Sequence, residues 1–314
     1  MKAKCLYCYE PVDGSGDFHP KCASKFFGSE KAPIIPYSIG DMTELAKQVV
    51  NRSISVPGVQ PKLSMSLIKE LQQEANYRLT VVGALGGNYI FKPPTTNFPE
   101  LPANEHLTMR MAEGFGIPVV PSALIRLNSG ELSYITKRID RTAEMEKIHM
   151  LDMFQITEAF DKYKSSMEKV GKAVGAYAVN TLLDKLILFE ITVFSFLTGN
   201  NDMHLKNFSL IESTTGWKLA PAYDLLNVSI ANTEDREELA LSMGGKRTRF
   251  KKADFVQFGQ NLGLRDKQIE GVFLRFFKFK KTGIKWIKNS FLSEEMQEAY
   301  LNLQEDRYRK IEGK

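Results

Sequence analysis

The chain has 314 residues, 43% hydrophobic and 25% charged, with a formal net charge of +5. That is ordinary globular composition, long enough for one large or two modest domains. The mild charge specifies no direct nucleic-acid binding, no apolar run reaches the ~18 residues of a membrane span, and no apolar signal segment follows Lys2 and Lys4. A cytoplasmic protein without membrane attachment is expected.

All three cysteines lie in the first 22 residues, which argues against a disulfide scaffold. Cys5-Leu6-Tyr7-Cys8 is a C-x-x-C knuckle, and His19-Pro20-Lys21-Cys22 adds an imidazole and a thiolate. Two such pairs suit tetrahedral zinc, and the turn 13–17 separates them. Incidental thiols in a reducing compartment remain the alternative. Residues 1–32 are therefore set apart as a small Cys/His unit.

A helix is expected over Asp41–Val50, with Asp41 as N-cap and Glu44 completing a capping box. The segment 55–62 (SVPGVQPK) forms a loop in which Gly58 permits close backbone approach to a phosphate and Lys62 adds a charge. Taken alone, its Pro-Gly pair reads first as a plain turn. Alternation of Leu63, Met65 and Leu67 marks a strand, followed by strands over 77–82 and 88–92. A helix over 103–113 and strands over 118–127 and 132–139 complete a strand-rich part, residues 33–136. From residue 151 the pattern is helical, with segments at 180–197, 252–262, 266–277 and 293–310, so 137–314 is expected to be a helical domain. Basic clusters at 246–252 and 275–288 read as solvated faces.

The densest chemistry is Asn201-Asp202-Met203-His204-Leu205-Lys206-Asn207, followed by Tyr223-Asp224. An Asp, an Asn five residues later and a second Asp are the side chains that phosphoryl transfer from Mg-ATP requires. One acid takes or orients the substrate proton, and an amide oxygen and a second carboxylate hold magnesium. Lys92 at a strand end and Glu105 at a helix start, thirteen residues apart, match the ion pair that orients ATP phosphates in kinases. Lys206 can reach the transferred phosphoryl group or stand as a surface lysine. His204, the lone histidine of the run, is assigned an orienting role on the ATP side rather than that of catalytic base.

Together the loop 55–62, Tyr89-Ile90-Phe91-Lys92, Asn104-Glu105, Lys137-Arg138-Ile139-Asp140-Arg141, the run 201–207 and Tyr223-Asp224 resemble the HipA-type serine/threonine kinases of bacterial toxin–antitoxin systems. The resemblance runs from about residue 50 to the end. It implies an α+β, two-lobed protein-kinase-like fold, with a β-rich N-lobe and a helical C-lobe. It also implies Asp202 as catalytic acid/base and Asn207 and Asp224 as magnesium ligands. Gly58, Gln60, Lys62 and Lys92 would then face the ATP phosphates, with adenine against the backbone of Lys137 to Ile139. In such kinases the serine opening the phosphate loop is autophosphorylated, which switches the enzyme off. Ser55 resembles that position, with Ser53 a second choice.

The family's longer members carry an additional N-terminal subdomain, and the Cys/His unit stands in its place. Shorter members work with a small, separately encoded companion protein. The resemblance further implies a growth-arresting toxin that phosphorylates a translation component such as an aminoacyl-tRNA synthetase, neutralised by a helix-turn-helix, DNA-binding antitoxin. Two alternatives stay open. One is a HipA-type kinase acting as an effector on a host protein or lipid. The other is a nucleotide-binding pseudokinase scaffold.

Overall fold

A computed structural model describes residues 3–14, 16–52, 62–69, 77–82, 86–142 and 144–313. They divide into two compact units. The first comprises Met1–His106 and Val120–Glu146, the second Leu107–Val119 and Lys147–Lys314.

The first unit is built on a five-stranded antiparallel sheet of β1 (Leu63–Lys69), β2 (Tyr77–Val81), β3 (Tyr89–Lys92), β4 (Ser122–Arg126) and β5 (Leu132–Lys137), in the order β2-β1-β3-β5-β4. Opposed pairs such as Leu63↔Phe91 and Phe91↔Ile135 set the register. With a period of two, Leu63, Met65, Leu79, Phe91, Ala123, Ile125 and Ile135 join one buried cluster. It also takes in Cys5, Tyr7 and Val12, with Ala23, Phe26 and Phe27 from helix α1 (Pro20–Phe27) and Met42 from helix α2 (Ile39–Arg52). The Cys/His segment thus shares one apolar core with the sheet.

The same N-terminal stretch also covers both sheet edges. Ile34 exchanges backbone hydrogen bonds with Tyr77 and Leu79 of β2, and Leu6 O accepts from Leu124 N–H of β4 at 3.0 Å. Unpaired edge groups are otherwise templates for unwanted pairing.

Helix α2 starts earlier than expected. Ser38, not Asp41, is the N-cap: Ser38 Oγ accepts from Asp41 N–H, and Asp41 Oδ2 accepts from Ser38 N–H at 2.8 Å. Asp41 therefore closes the capping box from the N3 position.

Helix α3 (Leu101–Gly114) enters the second unit. It is followed by β6 (Met150–Asp152), α4 (Met153–Ile156), α5 (Met167–Tyr177), α6 (Thr181–Leu197), β7 (Ser209–Ser213), β8 (Gly216–Leu219), α7 (Val228–Ala231), α8 (Lys252–Asn261), α9 (Asp266–Lys288) and α10 (Glu294–Glu312). The deeply buried α6 places Phe194 against Phe115 and Phe276, and Phe196 against Phe250 and Phe255. Strands β6, β7 and β8 form an antiparallel sheet inside the part expected to be helical. At three to five residues each, they are too short to show a period. Helix α9 runs eleven residues past the expected end at 277. The apolar face continues through Gly283 and Ile287, while Lys281 and Lys285 stay exposed.

Candidate active site

In the first unit, Lys92 ends β3 on the opposite face from Phe91, facing Tyr134 across the register. Its ammonium lies 5.3 Å from the Tyr134 ring centroid and 2.6 Å from Glu105 Oε1 at the start of α3. The two charged side chains keep only 6% and 1% of their surface. Burial, with the Glu105 charge behind it, pushes the Tyr134 phenol up, so it stays neutral.

The segment 137–141 is locked by its own charges. Arg138 makes a two-pronged pair with Asp140 at 2.9 and 2.6 Å, and Arg141 adds a contact at 2.7 Å. Burial opposes ionisation of Asp140, but the two arginines hold its carboxyl below the usual range. The Lys137 N–H goes to Pro121 O and the Arg138 N–H to Asn88 O. The Lys137 ammonium lies 5.6 Å from the Phe26 ring centroid. Lys62 is exposed just before β1. Ser53, Ser55, Gly58 and Gln60 lie outside the described residues.

In the second unit, α6 stops at Thr198, and Gly199 turns the chain with φ +68. A Cβ there would sit 2.6 Å from Asn227 Oδ1, so only glycine fits. The following loop is tied together by its own groups. Asp202 O accepts from His204 N–H at 2.8 Å and from Asn207 Nδ2 at 2.9 Å. With Nδ2 so engaged, the amide oxygen is the end of Asn207 left to serve a cation. Asp202 Oδ1 accepts from the Tyr163 hydroxyl at 2.7 Å. Burial first, then this bond to Asp202, pushes the Tyr163 phenol up and keeps it a donor.

His204 Nε2 lies 3.0 Å from the Lys162 ammonium, and the Tyr163 ring stands edge-on to the imidazole at 5.1 Å. Burial lowers the His204 pKa, against the pull of Asp202. The neutral ring accepts from Lys162 at Nε2 and carries its proton on Nδ1. The exposed Lys206 ammonium lies 4.8 Å from the centroid of the Phe154 ring, and its carbonyl accepts from the Tyr223 hydroxyl at 2.9 Å. Asp224 is partly buried and holds a left-handed φ of +60, a conformation that costs a non-glycine residue about 1–2 kcal/mol.

Lys162 and Tyr163 escape sequence reasoning. They reach the loop from 42 and 39 residues away, on a stretch with neither motif nor period.

At the N-terminus, ligand atoms of Cys5, Cys8, His19 and Cys22 lie within 4.8 Å of one another, a group able to hold a metal. His19 Nδ1 is 3.4 Å from Cys8 Sγ, while Nε2 donates to Pro11 O at 2.9 Å. A backbone carbonyl on the far nitrogen is the usual support of a metal-bound imidazole. Burial and the neighbouring Cys5 push the Cys22 thiol up to about 12. A bound cation would reverse that penalty.

The family model described as HipA-like C-terminal domain matches residues 54–281. A Haemophilus influenzae relative, provisionally named as a kinase, is 29% identical over 261 residues, 74% of each chain. The serine/threonine-protein kinase toxin HipA of Shewanella oneidensis is 25% identical over 211 residues, 60% of this chain and 46% of that protein. Among solved structures, Shewanella oneidensis HipA in complex with HipB and its operator DNA superposes with a TM-score of 0.67 at 21% identity, over 82% of this chain and 65% of that one. The fold is that of HipA, α+β, with a sheet-based unit and a largely helical unit.

Proposed function

This chain belongs to the HipA-like C-terminal domain family, and on that premise we propose that it is an ATP- and magnesium-dependent protein serine/threonine kinase acting as a growth-inhibiting toxin. The observation that carries the reading is the Lys92–Glu105 pair at 2.6 Å, almost wholly out of water. Burying two charges costs several kcal/mol for each ion, with little net stability in return, so a structural role explains it poorly. A phosphate-orienting role explains it well.

The roles divide as follows. Lys92, oriented by Glu105, binds ATP phosphates, with Gly58, Gln60 and Lys62 as further phosphate contacts. Adenine lies on the segment Lys137 to Ile139. There the amides of Lys137 and Arg138 are already used, so neither is offered to adenine. Asn207 and Asp224 hold the magnesium that neutralises the phosphates. Asp202 accepts the proton of a serine or threonine hydroxyl as its oxygen forms a bond to the γ-phosphorus and the bond to ADP breaks. Tyr163 aims the Asp202 carboxylate, His204 braces the loop on the ATP side, and Lys206 steadies the transferred group. Ser55, or Ser53, takes phosphate in the autoinhibited form, because a group carrying about −1.5 to −2 charges cannot share space with ATP.

The Cys/His group holds zinc, to which three thiolates and an imidazole are suited. The target is a translation component such as an aminoacyl-tRNA synthetase. A helix-turn-helix antitoxin restrains the kinase, a partnership supported by the HipA complex with HipB and operator DNA. A small companion protein completes the first unit, and the site of action is the cytoplasm. No helix among the described residues is long and apolar enough to cross a membrane.

The test is intact-mass analysis of dephosphorylated protein incubated with Mg-ATP, alongside growth on induction. Gain of a phosphate and growth arrest, both lost in Asp202→Gln, are expected. Absence of any ATP-induced thermal shift would overturn the kinase reading.

A further inference from the structure

The Cys/His knuckle is physically joined to the Lys92–Glu105 pair. Tyr9, the residue after Cys8, is 3% exposed, and its hydroxyl lies 2.9 Å from His106 Nδ1 on α3. The two rings also meet edge-on, with centroids 5.3 Å apart. His106 is fully buried and adjoins Glu105, which holds the Lys92 ammonium. All these residues belong to the first unit.

The backbone at Tyr9 points the same way. The knuckle closes through Tyr9 N–H to Cys5 O at 2.9 Å, with Tyr9 in the left-handed region at φ +69. Glycine takes that conformation without cost, whereas tyrosine is strained there. A strained residue persists only where its surroundings over-determine it, and such strain marks functional positions. Two constraints act on Tyr9. On one side are four ligand atoms gathered within 4.8 Å. On the other is the His106 contact, which requires the tyrosine side chain.

We propose that the Cys5/Cys8/His19/Cys22 metal site is a positioning element for nucleotide binding, acting through Tyr9 and His106 on the first turns of α3 and so on Glu105 and Lys92. Tyr9 and His106 are positioning residues and touch no substrate. Metal bound at the four ligands holds the knuckle closed and Tyr9 in its left-handed turn. With the metal gone, relaxation of Tyr9 toward ordinary φ withdraws the phenol from His106. Glu105 then loses its neighbour's anchor, and Lys92 is held less well for phosphate. The proposal rests on the nucleotide-binding role given above to Lys92.

The experiment measures Mg-ATP affinity by calorimetry, with zinc content and melting temperature, on wild type and Tyr9→Phe, each before and after chelation. Tyr9→Phe keeps the buried ring and deletes only the hydroxyl. It is expected to retain its zinc and to lose only a few degrees of melting temperature from the unpaired His106 nitrogen, yet to bind ATP about fivefold more weakly, the factor an ordinary hydrogen bond carries. Chelation is expected to weaken ATP binding to wild type by a similar factor. In Tyr9→Phe it should add less than about twofold, because both changes cut one route.

The same link is tested from the other end by His106→Asn, whose amide can stand in for Nδ1, and His106→Leu, which cannot. Asn is expected to preserve ATP affinity and Leu to lose it, whether or not Tyr9→Phe folds. Zinc-loaded Tyr9→Phe with wild-type affinity, chelation effects that multiply in full, or a wild-type chain that takes up no zinc would each overturn the proposal. A zinc-loaded wild type that binds no ATP would instead overturn the nucleotide-binding role of Lys92, so the two failures are told apart.

Discussion

Glu105 and Asp202 are acids in different units and opposite circumstances. Glu105 is fully buried and meets a lysine ammonium at 2.6 Å. Asp202 is partly exposed, and its described side-chain partner is a neutral phenol at 2.7 Å. The first carboxylate has its charge answered inside the protein, so its task is to hold something else still. The second is aimed but not neutralised, which under the function proposed above leaves its acceptor capacity for a substrate hydroxyl. On the proposed roles, the positioning charge is compensated in advance and the reacting one is left for the substrate to complete.

The hardest way to break this contrast is to remove the reacting charge. Asp202→Asn should lower phosphoryl transfer by about 10²–10⁴-fold, with the melting temperature and Mg-ATP affinity unchanged. Steady-state transfer assays beside calorimetry read both. A variant that loses stability as well would place Asp202 among the structural acids.

Lys92→Met should do the reverse. Stranding the buried Glu105 carboxylate should destabilise the protein by about 3–5 kcal/mol, measured by denaturant unfolding. Adding Glu105→Gln should recover most of that stability, since neither charge then lies unpaired. ATP affinity should remain low in both variants. Recovery of affinity with stability would show that Lys92 acts only through folding.

Asp224 sharpens the comparison because strain and the proposed magnesium role oppose each other there. Asp224→Gly relieves a φ of +60 and should leave stability equal or raised by up to about 1 kcal/mol. Magnesium-dependent ATP binding should fall. A clear loss of stability would make Asp224 a structural residue.

The two acids also differ in how they could be foreseen. Asp202 and Asn207 are five residues apart, so their spacing was visible in the chain, and the loop closes on itself through Asn207 Nδ2 and Asp202 O. Lys92 and Glu105 are thirteen apart, on a strand and a helix that were both expected. Helices α6 and α10 were legible for the same reason, as long runs with recognisable starts. What joins distant segments was not legible. Tyr163 reaches Asp202 across 39 residues, and Tyr9 reaches His106 across 97. Neither tyrosine stands out from any other half-apolar residue until the fold is known. Strands β6 to β8 were invisible because pairing with one another, rather than alternation, defines them. The core that the Cys/His segment shares with the sheet was hidden likewise.

His204 supplies the smallest effect and the finest test of how the loop is held. Burial lowers its pKa below the ordinary 6.5, so the folded ring resists the proton that the unfolded chain accepts. Above about pH 6.5 both states are neutral and no stability is lost. As pH falls below 6.5 the unfolded state binds more protons, and folding stability declines until the folded ring's own lowered pKa is reached. Protonation would also place a cation beside the Lys162 ammonium, 3.0 Å from Nε2, and remove that nitrogen as an acceptor. Between pH 7.5 and 5.5 the wild type should therefore lose about 2 °C more in melting temperature than His204→Gln, which cannot titrate. Equal losses would mean that the ring is protonated without penalty, and that Lys162 is not held by a neutral imidazole.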